Sequence, residues 1–171
     1  MSRAFVRESD DRPELPIARP SPALPPGAKN YLTPGGAVRL RQKLQQLVEV
    51  QRPSLVEALP DIDAKRQLLA LDLQIQQLEE SLQSAEVVPP PADGADVVRF
   101  GATVRVRRQD GEEDDYRIAG VDEIDLERGW VSWMSPIAKA LLNARVGDIV
   151  RFRFPSGEEP LEIVQVGYED A

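Results

Sequence analysis

The chain has 171 residues, no cysteine, no histidine and a net charge of −8. That composition excludes disulfides, thiolate metal sites, cysteine nucleophiles and every catalytic arrangement built on imidazole. Carboxylates, Lys/Arg, hydroxyls and backbone are left to do chemistry, and no apolar run approaches the ~20 residues of a membrane span, so a soluble cytoplasmic protein is expected.

Charge divides the chain. Residues 1–31 carry 5 basic and 4 acidic groups, residues 32–86 carry 6 and 8, and residues 87–171 carry 10 and 17. Nucleic-acid phosphate demands a basic footprint, so an acidic C-terminal half points to contact with nucleic acid only through a protein partner. Six of the fifteen prolines lie in the first thirty residues, among mixed charges and few large apolar groups. Residues 1–31 therefore read as a disordered Pro-rich tail, with a short apolar anchor at Ala4-Phe5-Val6.

Thr33-Pro34 then signals a helix start, an N-cap followed by a proline whose missing N–H costs nothing at the first position. Ala37, Leu40, Leu44, Leu47, Gln51, Ser54 and Ala58 recur at alternating spacings of three and four, a heptad seam that Pro53 should kink. Leu59-Pro60-Asp61-Ile62-Asp63 reads as a reversal, with Asp61 or Asp63 capping a second helix. Its seam is Leu68, Leu71, Ile75, Leu78, Leu82 and Ala85. Two heptad helices joined by a few residues predict an antiparallel coiled-coil hairpin over residues 32–87, projecting ~35 Å.

The proline run in residues 88–96 reads as a linker. After it, strands are expected at 97–100, 103–108, 115–120, 130–134, 149–154 and 161–166, separated by turn signals at Gln109-Asp110-Gly111 and Pro155-Ser156-Gly157. One short helix starts at Ser135-Pro136 and should turn Ile137, Ala140 and Leu141 inward. Residues 97–171 thus predict a compact antiparallel β domain, and the whole chain is α+β. Trp130 and Trp133 lie three apart on a strand, so one should be core and the other exposed. Arg105, Arg107, Arg151 and Arg153 should be neutralised by nearby acids, and Glu112-Glu113-Asp114-Asp115 should form a solvated hairpin.

This order of parts resembles the Gre (GreA/GreB) family of bacterial transcription elongation factors. The resemblance is carried by Phe100-Gly101-Ala102-Thr103-Val104, by the stretch from Tyr116 to Asp125 (Tyr-Arg-Ile-Ala-Gly-Val-Asp-Glu-Ile-Asp), by the stretch from Ser135 to Leu142 (Ser-Pro-Ile-Ala-Lys-Ala-Leu-Leu), and by Val146-Gly147-Asp148-Ile149-Val150. It covers residues 32–171. It implies an FKBP-like C-terminal domain that docks on RNA polymerase near the secondary channel, through Ser135, Pro136 and Ile137 with the acidic loop of Asp122, Glu123 and Asp125. It implies that the hairpin enters the channel and that the protein is no enzyme, with no catalytic residue, metal ligand or cofactor of its own. Family members carry acids at the hairpin tip that help hold Mg²⁺ in the polymerase active site while backtracked RNA is cut. Here the family's tip motif is missing, the arm is shorter by about a dozen residues or ~9 Å of reach, and Asp61 and Asp63 are the tip acids left. Two further readings stay open: a channel blocker that competes with cleavage factors, like the short-hairpin relative Rnk, and a Gre-derived interaction module without polymerase binding.

Overall fold

A computed structural model describes residues 24–93 and 96–169. The chain enters on strand β1 (Asn30–Leu32), which pairs in parallel with β2 (Ala85–Val87). Between these two short strands it makes a helical excursion: α1 (Pro34–Gln46), a π-helical turn (Leu47–Gln51), α2 (Arg52–Glu57) and α3 (Ile62–Ser84). Asn30 is buried, and its amide donates to the Ser81 carbonyl at 3.0 Å. The segment assigned to the tail therefore begins its pairing at Asn30, inside the expected boundary, while residues 1–23 of that tail lie outside the described residues.

Thr33 caps α1 by accepting from the Gly36 N–H at 2.9 Å, and Ala37, Leu40 and Leu47 are buried against the second helical run. The kink expected at Pro53 is taken up as the π turn just before it. Proline offers no N–H to the carbonyl four residues back and its ring crowds that carbonyl, and a widened turn relieves the conflict. The extra residue shifts the inward register by one: Gln51 and Ser54, expected on the seam, are exposed, Leu55 is half-buried, and Arg52 reaches Asp72 on α3 at 2.8 Å. On α3 the expected seam from Leu68 to Ala85 is buried or half-buried throughout, extended toward the turn by Ala64. Its 23 residues span ~35 Å.

The rest of the chain forms a five-stranded sheet in the order β5-β4-β3-β7-β6, built from β3 (Ala102–Arg107), β4 (Glu113–Ala119), β5 (Trp130–Ser132), β6 (Ile149–Phe154) and β7 (Gly157–Tyr168). One short helix, α4 (Pro136–Leu141), packs on it. The sheet is mixed and not antiparallel as expected: β4 and β5 run parallel, because residues 120–129 cross back over the sheet end in two 3-10 turns before β5 begins. The segment 97–100 is no strand. Val97 makes one bridge to Arg145, and Val98 is fully buried in the core.

Alternation on β3 sends Ala102, Val104 and Val106 into that core, where they meet Ile118, Leu141, Leu161 and Ile163. The opposite face carries cross-strand ion pairs, Arg105 with Asp115 at 2.8 Å and Arg107 with Glu113 at 3.0 Å, while Arg108 holds Asp114 at 2.6 Å. Arg151 and Arg153 lie more loosely by Glu158, at 3.9 and 3.7 Å. On α4 it is Ala138, with Ile137 and Leu141, that is buried; Ala140 is only half-buried. Neither tryptophan is exposed. Trp133 packs edge-on to Tyr31 at 5.2 Å, and Trp130 is half-covered by arginines. The body of β1 and α1 covers the end of the sheet that a strand-only reading leaves open.

Among the described residues no helix is long and apolar enough to cross a membrane.

Candidate functional site

The loop between β4 and β5 and the start of α4 lie side by side. Gly120 ends β4 with its N–H turned back, residues Val121–Glu123 form a 3-10 turn, and a second turn at Leu126–Arg128 returns the chain to β5. Ser135 caps α4 by accepting from the Ala138 N–H at 3.3 Å. These elements enclose a shallow apolar groove lined by Val121, Ile124, Leu126, Val131, Met134 and Ser135. Leu126 stands on its rim with 76% of its surface exposed.

The six residues expected to dock do not all face one way. Ser135 and the exposed Pro136 flank the groove, while Ile137 is buried in the core below it. Asp125 is spent locally, accepting from the Arg128 N–H at 3.3 Å and pairing with the Arg128 guanidinium at 3.4 Å. Asp122 accepts from the Ser81 hydroxyl of α3. Glu123 points away from the groove altogether. Its side chain is 2% exposed, and its two oxygens take the Thr33 N–H at 3.0 Å, the Gly120 N–H at 2.9 Å, the Thr33 hydroxyl, and Arg39 at 3.4 Å. Four donors satisfy a carboxylate that would otherwise be too costly to bury. Ile124, Leu126 and Met134, which do line the groove, escaped the sequence reading. The available signal was two apolar residues spaced through an acidic loop that supplies neither a helix face nor a strand.

Beside this loop three guanidinium groups surround the Trp130 ring, Arg39 at 4.7 Å, Arg117 at 4.8 Å and Arg128 at 5.3 Å from its centre. The Arg117 hydrogen bond, with its charge, holds the Glu169 carboxyl below its ordinary range, against the opposing effect of burial.

At the far end of the arm Asp61 and Asp63 are both exposed. Asp61 caps α3, accepting from the Ala64 N–H at 3.1 Å, and Asp63 sits in the first turn where the helix dipole favours a negative charge. Among the described residues no group of three or more acidic side chains is placed to hold a metal ion.

Residues 92–168 match the family described as "Transcription elongation factor, GreA/GreB, C-term". The chain is 38% identical over 154 residues to the transcription elongation factor GreB of Neisseria meningitidis, a match covering 82% of this chain and 94% of that protein. It is 39% identical over 156 residues to the transcription elongation factor GreA of Alkalilimnicola ehrlichii, covering 82% and 99%. Among solved structures it is similar to the GreA/GreB elongation factor of Nitrosomonas europaea, with 26% identity, a TM-score of 0.41, and coverage of 82% of this chain and 100% of that one.

Proposed function

The chain belongs to the GreA/GreB family of transcription elongation factors, and from that premise we propose that it binds RNA polymerase through the β domain and directs its helical arm into the secondary channel. On this reading it is an elongation regulator and not an enzyme. Residues 97–171 are the family's FKBP-like docking domain, residues 32–87 its coiled-coil hairpin, residues 88–96 the linker, and the first residues a tail. Its contact with nucleic acid is indirect, through the polymerase.

The observation that carries the proposal is the apolar groove of Ile124, Leu126 and Met134 beside Ser135 and Pro136. It offers an exposed apolar anchor bordered by the polar Ser132 and Ser135, the composition of a protein-binding patch. Binding of the labelled full chain to core polymerase tests it. Leu126→Asp should abolish binding and Pro136→Ala weaken it, while Arg151→Ala, on the far strand, should not. Absence of binding by the unaltered chain would leave the interaction-module reading.

A second reading concerns the outcome of binding, and arm length favours it. The match to GreB runs over 154 aligned positions but uses only 82% of this chain, about 140 residues, so about 14 positions have no counterpart here. Assigned to the arm, where the family's tip motif is missing, and divided between two helices, such a deficit would shorten the reach by ~10 Å. With Asp61 committed to its helix cap, the tip then occupies the channel without supplying Mg²⁺ ligands, and the protein competes with cleavage factors. Transcript cleavage in backtracked complexes separates the two. No stimulation by the wild type supports the blocker; strong Mg²⁺-dependent cleavage lost in Asp61→Ala/Asp63→Ala restores the cleavage factor.

A further inference from the structure

We propose that Glu123 is a positioning residue: its buried carboxylate fixes the direction in which the helical arm leaves the β domain. The consequence for transcription rests on the docking reading above; the geometric claim does not.

Glu123 joins two bodies. Gly120, whose N–H it accepts, belongs to the sheet; Thr33 and Arg39, which supply the other donors, belong to the first turns of the arm. The neighbouring Asp122 accepts from Ser81 near the end of α3. Adjacent carboxylates of one 3-10 turn thus hold both helical runs of the arm, one each.

The walls of the Glu123 site are bare by necessity. A Cβ on Gly36 would lie 1.8 Å from a Glu123 oxygen, and one on Gly120 would lie 2.0 Å from the Tyr31 carbonyl oxygen. Both glycines are occupied in letting the arm approach the sheet closely enough for these bonds to form.

The Thr33 and Gly120 N–H groups need a buried acceptor, and because the four bonds are directional and come from both bodies, they also select one arrangement of arm and sheet among several of similar burial. The lever is long. With α3 extending ~35 Å, a rotation of ~10° at the base displaces the tip by ~6 Å. A displacement of that size at a polymerase centre is disabling, since ~1 Å of misplacement can cost about 100-fold.

The test uses the full chain, which has no cysteine of its own, so spin labels on Ser54→Cys in the arm and Glu112→Cys on the β domain report one distance. The otherwise unaltered chain should give a single narrow distribution. Glu123→Gln, which keeps an oxygen for the two backbone N–H groups and an amide for the Thr33 hydroxyl, should retain it. Glu123→Ala should broaden or split it while near-ultraviolet circular dichroism shows the β domain intact. Gly36→Ala, which displaces the carboxylate from the opposite side, should do the same, and it decides the matter if Glu123→Ala does not fold. Unaltered narrow distributions in the folded alanine variants would overturn the proposal.

With polymerase, Glu123→Ala should bind within about twofold of wild type yet lose its effect on elongation about 10-fold or more. Equal losses of affinity and effect would also overturn it. Failure of the unaltered chain to bind polymerase would remove the docking reading while leaving the distance measurement to judge Glu123.

Discussion

The Arg117 guanidinium lies 4.8 Å from the centre of the Trp130 ring and donates to the Glu169 carboxylate at 2.7 Å. The same ring receives Arg39 from α1 and Arg128 from the loop between β4 and β5. Three cations around one indole would repel each other, but each has its own carboxylate: Glu123 for Arg39, Glu169 for Arg117 and Asp125 for Arg128. Trp130 is consequently the point where arm, sheet and loop share one electrostatic centre.

Trp130→Ala should therefore destabilise the protein by about 3 kcal/mol, combining lost apolar contact with loss of the ring beneath three guanidinium groups. Urea denaturation measures it. A double-mutant cycle of Trp130→Ala with Arg117→Ala should return a coupling of about 1 kcal/mol. A coupling near zero would show that the stacked geometry contributes nothing.

Acid should weaken the fold through Glu169. Arg117 holds this carboxyl below its ordinary value of 4.5, first by its hydrogen bond and then by its charge, and Arg105 does the same for Asp115 from 3.8. A carboxyl depressed in the folded state stabilises at pH above its ordinary value, and that stabilisation drains away as pH falls through the lowered one. The melting temperature should stay level from pH 7 to about 5 and fall below about 4.5. Glu169→Gln should start lower at pH 7 and show a shallower acid slope, read by calorimetry across the series.

Two glycines of similar appearance should respond oppositely to alanine. At Gly120 the new methyl would meet the Tyr31 backbone carbonyl at 2.0 Å, so Gly120→Ala should cost about 2 kcal/mol or more. At Gly167 on β7 nothing lies within 4 Å, so Gly167→Ala should move stability by less than about 0.5 kcal/mol. Thermal melts of the pair provide the comparison.

The tip acids should separate by stability measurement alone. Asp61→Ala removes the cap on the Ala64 N–H and should cost about 1 kcal/mol. Asp63→Ala loses only a favourable placement at the helix start, about 0.3 kcal/mol. Asp61→Asn, which can still cap, should recover most of the first loss. Equal effects of the two alanine variants would contradict the assignment of the cap.

Local rules were enough to read much of this from sequence. Thr33-Pro34, Asp61 and Ser135-Pro136 start their helices as their side chains dictate, and the α3 seam follows its spacing. Alternation on β3 and β6 likewise set which residues face the core. The departures arise where one element answers to another. Heptad counting carried the seam through Gln51 and Ser54, because Pro53 announces a disturbance without saying how many residues the widened turn will take. Spacing alone makes Trp133 one half of an in-or-out pair, but Tyr31, a hundred residues away, covers it. Glu123 looked like a surface acid because its donors, Thr33 and Arg39, lie 90 and 84 residues upstream. The groove was missed for a related reason: Leu126 and Met134 become neighbours only once β5 has paired with β4.

The parallel pairing of Asn30–Leu32 with Ala85–Val87 makes the arm a detachable module. Its entry and exit strands are neighbours in register, so everything from Thr33 to Ser84 is a detour whose two feet stand together. Length can then be traded at the outer end, in equal increments on both sides, with no change at the feet. A longer pair of helices spliced in above Leu47 and below Leu71 should sit on the same footing, making reach a quantity that can be varied as a ruler is, one heptad pair at a time.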